Sequence, residues 1–285
     1  PDLDLHASPQ MTINNLPGVI LLKKLGFKRV VLARETPLEE IRKIHENVDI
    51  ELEVFIHGAL CVSYSGQCLM SSILGGRSGN RGKCAQPCRM PYSIVDYKSG
   101  DIPFSNWDKK YLLSPRDLNT LENIYELINA GVISLKIEGR MKRPEYVAIV
   151  VRMYRKALDL GIDSLSGEDK KDILQIFNRG FTKGITFGDF GRRFISYHRP
   201  DNRGVLAGEV TKADKNSLYI KLDIDVEKGD GIELSTKMGK SIGTTLNHGG
   251  LKGQIIKLNK INNVEIGAKV YRTSSIELLE KAKKS

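Results

Sequence analysis

Four cysteines, Cys61, Cys68, Cys84 and Cys88, fall within 28 residues in the spacing C-x6-C-x15-C-x3-C. Zinc sites commonly use pairs of thiolates with two to four residues between them, a spacing met by Cys84 and Cys88 but not by Cys61 and Cys68. An iron–sulfur cube accepts four thiolates from an irregular loop. The spacing therefore ranks an iron–sulfur centre first, zinc second and plain structural thiols third, and all three readings stay open. Gly75, Gly76, Gly79 and Gly82 let the backbone bend tightly around the sulfurs. Arg77, Arg81, Lys83 and Arg89 add four cations, with no acid between residues 77 and 89. Such cations are placed to hold thiol pKa values down or to meet phosphates. An ordinary solvated loop is the plainer alternative.

Other residues able to do chemistry sit where short apolar runs end. His57 lies four residues before Cys61 and is a candidate for proton transfer or for a hydrogen bond to substrate. Its alternative is a satisfied core histidine. Glu138 and Arg140 follow another apolar run, as do Arg34 and Glu35. An arginine there can grip a carboxylate or phosphate through two parallel hydrogen bonds. A structural salt bridge explains either pair almost as well. Recognisable hydrolytic machinery is missing: Gly75 to Lys83 imitates a phosphate loop but carries Cys84 after the lysine, and no G-x-S-x-G elbow occurs.

These residues need elements to position them. Leu3–Ala7, Arg29–Ala33, Glu51–Gly58 and Val132–Ile137 read as strands, and 16–25, 36 onward, 121–130 and 144–161 as helices. Thr36 is the expected N-cap of the second helix, with Pro37 at its first turn. Strands alternating with helices imply right-handed crossovers and parallel pairing, with chemistry at the strand C-termini. Four such strands make a small open sheet or half of an eight-stranded barrel. After residue 200 the pattern changes to short runs at 205–207, 217–225, 231–234, 251–257 and 268–272, which signals an antiparallel barrel or sandwich. Ser274 and Glu277 have capping-box spacing for a final helix. The expected division is a β/α region at 1–167, a connector at 168–203 and a β domain at 204–285.

The 285 residues carry 44 Lys and Arg against 34 Asp and Glu, a net charge of +10, with 40% hydrophobic residues. That balance favours polyanions, nucleic acid first. No stretch is long and apolar enough to span a membrane. The opening residues lack the pattern of a secretory leader, so a reducing, cytoplasmic setting is expected, in which grouped cysteines suit a metal or redox site better than disulfides. Between 179 and 203 lie six basic residues, among them Arg179, Arg192, Arg193 and Arg203, against Asp189 and Asp201. Phe181, Phe187, Phe190, Phe194 and Tyr197 are interleaved, a mixture suited to stacking on unpaired bases or to sealing a domain joint.

The run Glu53 to Cys61, followed by Gly66-Gln67-Cys68-Leu69-Met70-Ser71, resembles the signature of peptidase family U32, the collagenase-like peptidases of unknown catalytic type. Further stretches extend the resemblance: His6–Gln10, Asn80–Arg89, Leu112–Leu118 and Lys136–Lys142 with Glu145-Tyr146-Val147. Phe177–Phe181 and Pro200–Gly204 are similar to the β-rich extension of the longer members. The resemblance implies the second half of a TIM-like (β/α) barrel and a 4Fe–4S cluster on the four cysteines. It also implies oxygen-independent hydroxylation, in some relatives of a pyrimidine in ribosomal or transfer RNA, with prephenate implicated as the hydroxyl source. The extended architecture points to the ribosomal-RNA cytidine hydroxylase branch. From their places at the strand ends, His57, Glu138 and Arg140 are the candidate catalytic residues. Arg34, Arg77, Arg81, Lys83, Arg89, Arg179, Arg192, Arg193 and Arg203 are the candidate RNA contacts. The expected partners are RNA and the other half of the barrel. A peptidase and a non-catalytic RNA-binding module are the competing readings.

Overall fold

A computed structural model describes residues 3–103, 110–236 and 241–284. The chain divides into two units, residues 1–140 with 179–201, and 141–178 with 202–285. Residues 141–167, assigned by the sequence to the β/α region, group here with the second unit.

The first unit is α/β. Its strands are β1 (His6–Ala7), β2 (Arg29–Val31), β3 (Glu51–Ala59), β4 (Asp117–Asn119), β5 (Val132–Glu138) and β6 (Phe181–Thr182). Its helices are α1 (Leu16–Lys24), α2 (Leu38–Asn47), α3 (Met70–Gly75) and α4 (Ile124–Asn129). β1, β2, β3 and β5 pair in parallel in that order, as the alternation of strands and helices requires. β5 follows one edge of β3 from Leu52 to Gly58. The opposite edge is shared: β2 takes Glu51–Glu53 and the antiparallel β4 takes His57–Ala59. The C-terminal end of β3 is thus enclosed on both sides. Leu52, Val54 and Ile56, alternate residues that share one face of β3, are buried in the core. Ile41 and Ile44 of α2, and Ile124 and Leu127 of α4, are buried core residues of the same unit. Thr36 is not the N-cap of α2: that position is Pro37, and the Thr36 hydroxyl donates to the Ala33 carbonyl instead.

The second unit opens with α5 (Pro144–Leu160) and α6 (Gly167–Ile176) and closes with α7 (Ile276–Lys283). Between them lie β7 (Val205–Ala213), β8 (Ser217–Leu222), β9 (Gly231–Ser235), β10 (Ser241–Thr245), β11 (Ile255–Asn259) and β12 (Lys269–Ser274). These form an antiparallel sheet in the order β10-β9-β12-β7-β8-β11. Ala207, Val210, Leu218, Ile220, Leu234, Ile256 and Val270 share its core. α6 starts with a capping box, the Ser166 side chain bonded to the Asp169 N–H and the Asp169 carboxylate to the Ser166 N–H. Ser275, one residue later than expected, caps α7 by accepting from the Leu278 N–H. Among the described residues no helix is long and apolar enough to cross a membrane.

Candidate active site

The cysteine loop leaves the C-terminal end of β3, with Cys61 two residues past the last strand residue. Cys68 precedes α3, and Cys88 lies in a single helical turn at Pro87–Arg89. The loop is fastened at both ends. Near its start, the Ser65 N–H and hydroxyl both donate to the Glu35 carboxylate at 2.9 Å, and Thr12 Oγ1 donates to the Ser65 carbonyl at 2.7 Å. Gly66 has φ +76°, and a Cβ there would stand 2.3 Å from the Gln10 carbonyl oxygen, so glycine is required. Asn80 joins these turns, donating to the Gly66 carbonyl at 2.7 Å while its own carbonyl accepts from Gln10 at 2.6 Å.

The far end hangs on Arg89, with Arg179 in its neighbourhood; both were expected to contact RNA. Arg89 is 9% exposed and donates to Ser114 Oγ at 2.8 Å, to the Pro115 carbonyl and to the Leu60 carbonyl at 3.3 Å. Burial, and then the neighbouring Arg179, push its pKa down to about 10. Arg179 is itself buried. Its guanidinium pairs with Asp117 at 3.0 Å and donates to the Pro200 carbonyl at 2.7 Å, and its N–H binds the other Asp117 oxygen. Both residues are internal fasteners, because each fills buried carbonyl or carboxylate acceptors that would otherwise lack donors. Arg77, Arg81, Lys83, Arg192 and Arg193 are exposed, as a polyanion contact requires. Arg203 is half-buried, its N–H bonded to the Asn178 carbonyl.

At the ends of the parallel strands the charges pair differently from either sequence expectation. Arg34 and Glu35 do not form a pair of their own: Glu35 holds the cysteine loop, and Arg34 crosses to Glu138 at 3.0 Å. The Arg34 guanidinium lies 3.8 Å from the centre of the Phe55 ring, a cation–π contact. Its Nε is buried without a hydrogen-bond partner. Burial lowers the Arg34 pKa, opposed by the attraction of Glu138, Cys61 and Glu35. Arg140 donates to the Gly82 carbonyl in the cysteine loop, and its N–H binds the Glu138 carboxylate at 3.1 Å. His57 is 1% exposed between β4 and β5, with its ring edge-on to Phe181 at 5.5 Å. At that exposure the His57 ring is closed to open solvent in this structure.

The thiols do not follow the expected electrostatics. Cys61 and Cys88 are raised, first by burial. Arg34 and Arg89 oppose the shift, while the other thiols add to it: Cys88 senses Cys61, Cys84 and Cys68, and Cys61 senses Cys68 and Cys84. Desolvation and the other thiols outweigh the cations: Arg81 and Lys83 are exposed, and the exposed Arg77 turns its Nε back onto the Lys83 carbonyl at 3.0 Å. All four cysteines are free and half-buried. Among the described residues no group of three or more His, Cys, Asp or Glu side chains converges closely enough to hold a metal ion. In chemical type the four thiols are the donors of a four-thiolate centre, although their side chains do not converge on one point here. The other thiols disfavour ionisation of Cys61 and Cys88, a penalty that a bound cationic centre removes. The Gln86 N–H also already donates to Cys84 Sγ at 3.3 Å, a contact of the kind that tunes such clusters.

Sequence reasoning missed Phe55 beneath Arg34, Ser65 under Glu35, and the Asp117–Arg179 pair. Asp117 and Arg179 each sat in a motif of the family resemblance, and nothing in the chain signals that two motifs 62 residues apart face each other.

The model of peptidase family U32 matches residues 1–194. The 23S rRNA 5-hydroxycytidine synthase of Escherichia coli is 38% identical over 83% of this chain and 37% of its own length. A tRNA hydroxylation protein of Bacillus subtilis is 45% identical over 56% of this chain and 38% of its own. An uncharacterized protease of Methanocaldococcus jannaschii is 34% identical over 95% of this chain and 68% of its own. The chain therefore spans less than two fifths of the first two relatives. No solved structure matches significantly.

Proposed function

This chain belongs to peptidase family U32, and we propose that it forms part of an oxygen-independent hydroxylase of a pyrimidine in RNA, with ribosomal RNA the favoured substrate. The observation that carries this reading is the 38% and 45% identity to relatives named for ribosomal- and transfer-RNA hydroxylation. The parallel strands are read as half of a TIM-like barrel, and a complementary half is the expected partner. Cys61, Cys68, Cys84 and Cys88 would hold a 4Fe–4S cluster, which supplies or accepts single electrons when bound.

The remaining roles belong to side chains of this chain. Arg34, stacked on Phe55 and paired with Glu138, has a buried Nε with no acceptor among the described residues, so a ligand would have to enter between the strand ends to reach that edge. That edge suits a carboxylate or phosphate oxygen of the substrate or of prephenate, the candidate hydroxyl donor. Glu138 orients Arg34 and, through the Arg140 N–H, the link to Gly82, so strand end and cysteine loop move as one. His57, buried at the end of β3 with its ring edge-on to Phe181, is the candidate for proton transfer or for a hydrogen bond to substrate. Arg77, Arg81, Lys83, Arg192 and Arg193 would hold RNA phosphates.

Nucleoside mass spectrometry of total RNA from a strain lacking the gene tests the reading. One hydroxypyrimidine should vanish and return with the wild-type gene but not with Cys84→Ala. An unchanged nucleoside profile contradicts the proposal, and protein cleavage that survives all four Cys→Ala changes would establish the peptidase reading in its place.

A further inference from the structure

The second unit presents a sheet face that the charges of the first unit do not explain. Along β8, Leu218, Ile220 and Leu222 point into the core, so Tyr219 and Lys221 point outward. In register, Tyr219 faces Lys212 on β7 and Lys257 on β11, while Lys221 faces Glu209 and Ile255. All three lysines are exposed. The Lys212 ammonium stands 5.2 Å from the centre of the Tyr219 ring. The ring is held in place by its hydroxyl, which donates to Asp214 at 3.0 Å. Two carboxylates border this grid: Glu209, paired with Lys269 on β12, and Asp214, which holds the Tyr219 hydroxyl and attracts Lys257. What remains is a half-buried aromatic ring on a pleated surface, with an ammonium on each neighbouring strand and a third two residues along.

A solvated sheet face needs only polar side chains. A ring clamped among four lysines, Lys212, Lys221, Lys257 and Lys269, that outnumber the two carboxylates beside them, Glu209 and Asp214, is more specific. Unpaired bases stack on aromatic rings while flanking cations hold the backbone phosphates. A duplex, whose bases already stack on one another, offers no free face to the ring. The charge excess is complementary to a polyanion, not to an apolar or basic partner.

We infer that the outer face of β7, β8 and β11 is a docking platform for a single-stranded segment of RNA, with Tyr219 stacking on a base and Lys212, Lys221 and Lys257 holding phosphates. The inference rests on the RNA reading above and adds to it a contact in the second unit, remote in sequence from the cysteine loop.

The test is fluorescence anisotropy of the full chain with a labelled, unstructured single-stranded RNA and with a duplex of matching length, across a salt series. Wild type should prefer the single strand. Tyr219→Ala should weaken that binding about tenfold, the size of one lost stacking contact. Tyr219→Phe keeps the ring and loses the bond to Asp214, and it should stay within about twofold of wild type. Lys212→Ala with Lys257→Ala should lower the slope of log affinity against log salt by about 1.4, two phosphate contacts' worth for a single strand. If wild type binds RNA and the Tyr219→Ala and double-lysine variants bind equally well, the platform is wrong and the RNA reading stands. If Tyr219→Phe is as weak as Tyr219→Ala, the ring does not stack and the platform is likewise overturned. If wild type binds no RNA at all, the platform and the RNA reading fall together.

Discussion

The strand ends of the first unit and the tip of its cysteine loop are both rich in arginine, yet they dispose of charge differently. At the strand ends and the loop's anchors, Arg34, Arg89 and Arg179 are wholly or largely buried and engaged with protein groups: Glu138 and the Phe55 ring, three backbone or hydroxyl oxygens, and Asp117. At the tip, Arg81 and Lys83 stand in solvent. The first set fixes where the four sulfurs are held, and the second is free to meet a polyanion. A run of basic residues in a sequence thus mixes two physical jobs that only partners can separate.

The sharpest way to break this contrast is to cut a buried pair. Arg179→Ala strands the Asp117 carboxylate at 2% exposure and should cost about 3–5 kcal/mol of stability in chemical denaturation. A loss below about 1 kcal/mol would mean the pair is not buried in solution. Arg89→Ala should follow at about 2–3 kcal/mol, because it leaves three buried acceptors without donors. It should also loosen the cysteine loop, measured as faster proteolysis between residues 61 and 89.

Why these two residues were misjudged is physical. Their acceptors lie 21 to 62 positions away, beyond any local pattern, and no composition rule distinguishes an arginine that fills a buried carbonyl cage from one that faces water. The parallel strands were legible because β-branched runs alternate with helices punctuated by Gly26, Gly131 and Gly161. β4 and β6 were not, being two or three residues long and paired only through tertiary contacts. α6 was hidden by its polar sequence and by Asp169 standing where a capping box more often has Glu or Gln. β10 alternates exposed and half-buried residues with no apolar stripe to announce it. The cysteine cluster was fully visible as spacing, but the direction of its thiol shifts was not, since burial and mutual repulsion require three dimensions.

A milder variant sharpens the comparison at the strand end. Arg34→Met removes the pair to Glu138 and the cation over Phe55 while keeping an apolar stem, and should cost about 1–2 kcal/mol. Hydroxylation should fall more than that loss of folded population explains. Equal losses would leave Arg34 a purely structural residue.

The second unit supplies a pH-resolved case of a closed charge. Burial raises the Asp169 pKa, but hydrogen bonds from Lys156 and Ser166 outweigh it and bring it down to about 2. An unfolded carboxylate titrates near roughly 3.9. The stabilisation is therefore intact above about pH 4 and is lost as pH falls from there towards 2. Asp169→Asn should lower stability by about 1 kcal/mol at neutral pH, the usual worth of a cap, and should flatten the acid limb of the stability profile. An unchanged acid limb would contradict the assignment. At the small end, Arg81→Ala should change stability by less than about 0.5 kcal/mol while weakening RNA binding and its salt dependence. A large stability loss would place Arg81 among the internal fasteners.

The account turns on whether the four cysteines hold one inorganic centre. Anaerobic purification followed by iron and acid-labile sulfide analysis, with visible absorption spectra, measures this directly. The account predicts about four irons and four sulfides per chain, a brown protein, and loss of most of both in Cys84→Ala. Wild-type protein that is colourless and iron-free after anaerobic reconstitution, or iron content unchanged in Cys84→Ala, would contradict it.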